Sequence, residues 1–527
     1  MGDSQTVKWQ SLGHLLADAA QTHAEKTLFI YEGQHLSYVE FDRRVNRLAN
    51  ALQALQVSKA DRVSVMLPNG FEFPIAWFAL AKLGAVQVPT NINYIEKDLH
   101  YILSDSGANA IIIHSNYLPR LQNIKNQLPD LKHIIVFGDA PDNTYSLLEL
   151  MDAADDKFYI GDVSRQDLIS IQYTSGTTGF PKGCMLAHSY WLLMGQITND
   201  YIEIRPDDID LTAQPFYYMD PQWNTIACMI SGIPLVIMPK FSVSRFWPTV
   251  IDNNITFLYM IGTMPFFLMK RDADDLEKNH KLRLIICSGI VPDFHATFED
   301  RFNVPWREAF GMTESGVDLI IPLDDDNSVG SGAMGEPVPT KRARVTSDSG
   351  EELPDGEIGE LVVSGEPMMQ GYWNKPEETA IIMRDGWLHT GDLAYKDEYG
   401  YFHWVGRIKD MVRRGGENIS SAEVEAVIIE HNGVKSVAVV PVQDELRGEE
   451  VKVYIVLKDG ETHYSVSPQA IVNFAAQKLA KFKLPRYVAY VDQFPLTPSE
   501  RVAKHELIRD QEDLRLNSFD LLDGVWR

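Results

Sequence analysis

Residues 173–183 read YTSGTTGFPKG. Within that string Gly176, Gly179 and Gly183 are interleaved with the hydroxyls of Thr174, Ser175, Thr177 and Thr178, and Lys182 stands next to the end. Glycines let a main chain approach a polyphosphate and aim its N–H groups at it, hydroxyls add donors, and lysine supplies charge. The combination suits a triphosphate. It differs from the phosphate loop of kinases and GTPases, GxxxxGK followed by Ser or Thr. So complete a string is also much rarer than an ordinary Ser/Thr/Gly-rich turn.

Four further strings follow in order: FGMTE at 310–314, GWLHTGD at 386–392, GRIKDMVRRGGEN at 406–418 and PLTPSERVAK at 495–504. Together with the glycine-rich loop they resemble the signatures of the adenylate-forming superfamily of acyl-CoA synthetases, luciferases and peptide-synthetase adenylation domains, over nearly the whole chain. The resemblance implies an ATP-dependent, Mg²⁺-dependent acid–CoA ligase that forms an acyl-adenylate and then a thioester, releasing AMP and pyrophosphate. Phe310 would offer an adenine stacking face beside Gly311, with Ser288 and Gly289 on the other side of the base. Thr313 would contact phosphate, and Glu314 is a hard carboxylate for Mg²⁺. Asp392 and Arg407 would hold the ribose. Lys409 falls at the family's hinge, and Gly415, Gly416 and Glu417 would line the path of the coenzyme A arm. The family's closing motif carries Gly-Lys where this chain has Glu500-Arg501. Arginine keeps the charge but is longer, planar and forked, so Arg501 is the expected catalytic cation and Lys504 its reserve.

The acid is expected at residues 214–224, QPFYYMDPQWN, and 256–265, TFLYMIGTMP, which includes Gly262. Tyr217, Tyr218 and Trp223 stand close in sequence to Asp220. Rings plus one carboxylate suit a quaternary ammonium, through cation–π attraction of about 0.5–2 kcal/mol per ring. KFSVSRFW at 240–247, LAKFKLP at 479–485 and Met219-Asp220 followed by Gln222 resemble the crotonobetaine/carnitine–CoA ligase group. Carnitine, crotonobetaine or γ-butyrobetaine is therefore expected ahead of aromatic, terpenoid or medium-chain fatty acids. Two other readings stay open: adenylation that loads a carrier protein, and a non-catalytic nucleotide-binding relic. No elbow of the GxSxG kind accompanies His188, so a hydrolase triad is not expected.

These residues need a scaffold, and the hydrophobic pattern supplies one. Residues 36–56 space apolar side chains as an amphipathic helix after a short hairpin, and short β-branched runs at 61–68, 109–115 and 132–138 alternate with apolar helices. Continuous apolar strands recur at 168–174, 234–239, 255–262 and 282–289, as in a sheet covered on both faces. From about residue 343 shorter, turn-punctuated strands predict an antiparallel subdomain. After residue 406 an α+β inventory of roughly a hundred residues has ordinary domain size. The expected fold is α/β: a large N-terminal domain at 1–406 with parallel α/β subdomains and a small antiparallel β subdomain. A small mobile α+β domain at 407–510 and an acidic tail at 511–527 would follow.

Composition narrows the partners. With 73 acidic against 48 basic side chains and a net charge of −25, no nucleic acid or anionic membrane is expected, and ATP and CoA must be met by local cations. No apolar run approaches the ~18–20 residues of a membrane span, so no stable membrane insertion is expected. Cys184, Cys228 and Cys287 are too few and scattered for a disulfide framework, which suits a reducing cytoplasm. A homodimer is left open.

Overall fold

The computed structural model describes residues 7–174, 181–261, 263–414, 417–444, 446–496, 502–509, 511 and 513–527. The chain forms two compact units. The first takes residues up to 174, 181–343 and 363–388, and the second takes 344–362 and 389–527.

In the first unit one sheet runs, in order, Tyr145–Ser146, His133–Phe137, Ala110–His114, Arg62–Met66, Val86–Pro89, Leu168–Thr174 and Lys182–Ala187. It is parallel up to Leu168–Thr174, where Lys182–Ala187 returns antiparallel. Strand residues alternate between two faces, and here both faces are buried. Ala110 and Ile112 join Phe41, Trp77 and Phe78 in one core, whereas Ile111 and Ile113 join Leu99, Leu103 and Leu121 in another. Hence the run is apolar throughout instead of alternating.

The helix Tyr38–Ala54 begins where Ser37 Oγ accepts the Glu40 N–H, and its buried stripe includes Phe41, Val45, Leu48 and Leu52, the i, i+4 spacing of one helix face. Its neighbour Glu72–Leu83 is buried nearly all round and ends at Gly84, whose φ of 72° a side chain would strain. A second sheet in this unit runs Gly316–Ile320, Trp306–Met312, Leu284–Ser288, Phe257–Ile261, Asp210–Thr212, Leu235–Ile237, Thr27–Tyr31 and Gln34–Ser37. Its central strands are parallel. Leu258 and Met260 enter one core and Phe257 the other, so these strands too are covered on both faces.

The second unit contains the antiparallel pair Trp387–Lys396 and Phe402–Arg407. It also holds a mixed sheet in which Gly448–Leu457 pairs antiparallel with Val434–Asp444 and parallel with Tyr487–Tyr490. Helices Ser421–Ile428 and Pro468–Ala475 contribute Val424, Ile428 and Ile471 to its core. Near the C-terminal end Phe519–Asp520 and Val525–Trp526 form a hairpin on Tyr487–Tyr490. Among the described residues no helix is long and apolar enough to cross a membrane.

Candidate active site

Several predicted site residues occupy the carboxyl ends of parallel strands, the usual ligand edge of an open α/β sheet. Leu168–Thr174 and Lys182–Ala187 pair with Thr174 opposite Lys182 and Tyr173 opposite Gly183. This closes the base of the glycine-rich loop, and Tyr101 Oη reinforces it by donating to the Pro181 carbonyl at 2.9 Å. Gly183 is required by packing, since a Cβ there would lie 2.4 Å from Ile171 Cγ2.

Lys182 and Glu314, far apart in sequence, are joined through Tyr372, a residue the sequence reading did not single out. The Lys182 ammonium pairs with Glu378 and lies 5.1 Å from the centre of the Tyr372 ring. Tyr372 Oη donates to Glu314 Oε1 at 2.6 Å, and the Glu314 carbonyl accepts the Met369 N–H at 2.8 Å. Burial, reinforced by the Glu314 charge, pushes the Tyr372 phenol up, so it stays a proton donor. The Lys182 hydrogen bond holds the Glu378 carboxyl below the usual carboxylate range.

Thr313 and Glu314 form the tip of the hairpin between Trp306–Met312 and Gly316–Ile320, where Ser315 N–H bonds back to the Met312 carbonyl at 3.2 Å. Tyr190 Oη donates to the Thr313 carbonyl at 3.0 Å. Phe310 is half-buried at an irregularity between residues 310 and 311. Gly311 lets the strands close there, because its Cβ would meet the Gly316 carbonyl oxygen at 2.2 Å.

Ser288 ends the strand Leu284–Ser288. Its hydroxyl donates to the Ala309 carbonyl at 2.5 Å and lies 2.7 Å from Tyr259 Oη. Glu308, also missed in the sequence, accepts the N–H groups of Gly289 at 2.6 Å and Ile290 at 2.5 Å. Burial nevertheless pushes its carboxyl up to about 7.

The expected acid-binding residues surround the start of the helix Met219–Ser231. The Tyr217 and Tyr218 rings lie 4.8 Å apart, with Tyr217 buried and Tyr218 half-buried. Gln172 Nε2 donates to the Tyr217 carbonyl at 2.6 Å, and Gln222 Nε2 to the Tyr218 carbonyl at 2.9 Å. Asp220 and Trp223 are three apart on the helix and so neighbours on its surface. Trp223 meets Tyr259 edge-on at 5.3 Å. Burial pushes the Asp220 carboxyl up to about 7, and its charge adds to the burial that raises the Tyr259 phenol. Tyr259 thus touches both Trp223 and Ser288. It lies in the segment expected to hold the acid but was not named there.

In the second unit Asp392 and Arg407 face each other across paired strands. Arg407 Nε is 2.9 Å from Asp392 Oδ1, which also accepts the Trp404 Nε1–H at 3.0 Å. Lys504 begins a short helix and is already engaged, at 2.7 Å from Glu425 Oε1 and 4.0 Å from Asp410 Oδ2. His188 is buried, and its Nδ1 accepts the Leu12 N–H at 3.2 Å. Burial pushes its imidazole down to about 3, a packed neutral residue. The three cysteines are free and buried. Ser175, Gly176, Thr177, Thr178, Gly179, Gly262, Gly415, Gly416 and Arg501 lie outside the described residues, as do the side chains of Lys409 and Glu417.

Residues 16–373 match the AMP-binding enzyme family, and residues 423–501 match the AMP-binding enzyme C-terminal domain. The chain is 32% identical over 516 residues to the crotonobetaine/carnitine–CoA ligase of Proteus mirabilis strain HI4320, covering 94% of this chain and 99% of that one. It is 31% identical over 518 residues to the protein of the same name from Escherichia coli O157:H7, with the same coverage. Among solved structures it resembles ATP-bound MatB from Rhodopseudomonas palustris, with a TM-score of 0.84, 29% identity and coverage of 95% and 99%. It also resembles the anthranilate CoA ligase AuaEII in complex with anthranoyl-AMP, with a TM-score of 0.85, 25% identity and coverage of 96% and 98%. The chain belongs to the AMP-binding enzyme family and is an AMP-forming acid–CoA ligase.

Proposed function

We propose that this ligase activates a betaine-type acid such as carnitine, crotonobetaine or γ-butyrobetaine. The observation that carries the substrate is the start of the helix Met219–Ser231, where Trp223, one turn on from Asp220, meets Tyr259 edge-on. A fixed cation gains from both the rings and the anion, and the similarity to the two crotonobetaine/carnitine–CoA ligases supports the same choice.

In the reaction the acid carboxylate attacks the α-phosphorus of ATP, pyrophosphate leaves, and the thiol of CoA then takes the acyl group from the adenylate and releases AMP. An anion approaches a polyanion in the first step, so fixed positive charge is the main resource. Lys182 and the loop from Thr174 to Gly179 shield the phosphates, and Thr313 contacts them. Glu314, oriented by Tyr372 and buried, suits Mg²⁺, which when bound neutralises phosphate charge. Phe310 and Gly311 take one side of the adenine and Ser288-Gly289 the other, while Asp392 and Arg407 orient the ribose. Arg501 supplies the cation between carboxylate and phosphate, since Lys504 is engaged by Glu425. We assign 1–406 to the large domain, 407–510 to the small one turning at Lys409, and 511–527 to a terminal extension, with Gly415, Gly416 and Glu417 beside the CoA arm.

Carnitine and its uncharged carbon isostere, compared by AMP release, test the substrate. The native enzyme should prefer carnitine by about tenfold or more, which corresponds to ~1.4 kcal/mol, and Asp220→Asn should shrink that preference. The Asp220 carboxyl sits near 7, so it is neutral below that pH. The kcat/KM for carnitine should therefore fall as pH drops through about 7, with no such limb for the isostere or in Asp220→Asn. Equal rates for the two acids would sink the betaine reading, and a preference for aromatic, terpenoid or fatty acids would replace it.

A further inference from the structure

Next to Glu314 in the chain, Ser315 is bonded to an ion pair that includes none of the residues proposed to bind the nucleotide. Lys341, first residue of the strand Lys341–Thr346, places its ammonium 3.3 Å from Asp318 Oδ1, and neither side chain has any exposure. The same ammonium donates to the Ser315 carbonyl at 2.7 Å and to the Pro367 carbonyl. Asp318 Oδ2 accepts the Ser315 hydroxyl at 2.5 Å. Burial pushes the Asp318 carboxyl up and the Lys341 ammonium down, so holding charge at this place carries a desolvation cost. Such a pair is weak grounds for stability, since apolar residues of the same volume often serve as well.

Its geometry gives it a different use. Ser315 closes the hairpin tip that carries Thr313 and Glu314, and Pro367 opens the segment that supplies both partners of Glu314. Two residues after Pro367, the Met369 N–H bonds the Glu314 carbonyl at 2.8 Å, and Tyr372 Oη bonds Glu314 Oε1 at 2.6 Å. One ammonium therefore fastens the tip to the strap that aims its carboxylate.

We propose that Lys341 is a positioning residue for adenylate formation, acting through Ser315 and residues 367–372 to hold the Glu314 carboxylate. The proposal rests on the reading of Glu314 as the metal-side carboxylate. Lys341 touches no reacting atom, and its removal lowers the rate of the first half-reaction while leaving thioester formation from preformed adenylate intact.

The test uses the full-length Lys341→Met/Asp318→Asn double variant, in which no carboxylate is left stranded, beside Tyr372→Phe and Glu314→Gln. ATP–pyrophosphate exchange is followed against free Mg²⁺, thioester formation is followed from acyl-adenylate and CoA, and thermal midpoints monitor folding. The double variant should lose about tenfold in exchange and need about tenfold more Mg²⁺ for half-maximal rate, with thioester formation within about twofold of native. Tyr372→Phe, which leaves the buried pair untouched, should shift the Mg²⁺ response in the same direction. If Glu314→Gln shifts that response but a folded double variant does not, the Lys341 proposal falls and the Glu314 reading stands. If the double variant does not fold, a native Mg²⁺ response in Tyr372→Phe overturns the proposal in its place. If Glu314→Gln itself responds like the native enzyme, both fall.

Discussion

Lys182 stands at the edge of the glycine-rich loop with its ammonium on Glu378 and above the Tyr372 ring. A triphosphate brings more negative charge than one half-exposed carboxylate, so the two anions compete for the same cation. Glu378→Gln should therefore lower the KM for ATP about three- to tenfold with kcat little changed. Steady-state kinetics at fixed Mg²⁺ would show it, and an unchanged or higher KM would mean that Glu378 does not compete. Lys182 and Glu314 were legible because each sits in a distinctive string. Tyr372 was not, because nothing in QGYWN at 370–374 marks a tyrosine whose hydroxyl reaches a residue 58 positions away. Tyr259 escaped for the same reason: a strand tyrosine looks like core until its partners Trp223 and Ser288 are known.

At the scale of elements, strand pairing closes the base of a loop more than once. Thr174 opposite Lys182 does so for the glycine-rich loop. Near the C-terminus Leu496 bridges Val502 and the Ala503 N–H bonds the Pro495 carbonyl at 2.8 Å, with Lys504 then held by Glu425. We propose that Lys504 anchors the segment bearing Arg501. Lys504→Met should cost about tenfold in ATP–pyrophosphate exchange, Arg501→Met about a hundredfold or more, and both should leave thioester formation from adenylate near native. A larger loss for Lys504 than for Arg501 would make Lys504 the working cation. The parallel strands were readable because continuous apolar runs need cover on both faces, and Leu168–Thr174 has the expected bounds. The apolar spacing over 469–482 would suit one continuous helix, but the helix stops at Ala475. Tighter turns follow, in which the Gln477 N–H bonds Phe474 and the Lys478 N–H bonds Ala475, and Leu479 still reaches the core. Apolar spacing marks which residues turn inward; it does not distinguish a continued helix from successive turns.

For the whole molecule, a net charge of −25 repels every anionic substrate of this reaction at a distance. We propose that short-range cations such as Lys182 and Arg407 offset that repulsion. The division into a large N-terminal part and a smaller C-terminal one was visible as a change of texture along the chain. The two compact units are discontinuous in sequence, residues 344–362 and 389–406 grouping with those that follow, a long-range arrangement that local patterns do not encode. The central claim is that one chain couples acyl-adenylate formation to CoA transfer. The most direct measurement is product analysis across a panel of carboxylic acids, with and without CoA. AMP and acyl-CoA should form in equal amounts, only when acid, ATP and CoA are all present in turnover. Sustained AMP release without thioester in the presence of CoA, or acyl-CoA accompanied by ADP and phosphate, would contradict it.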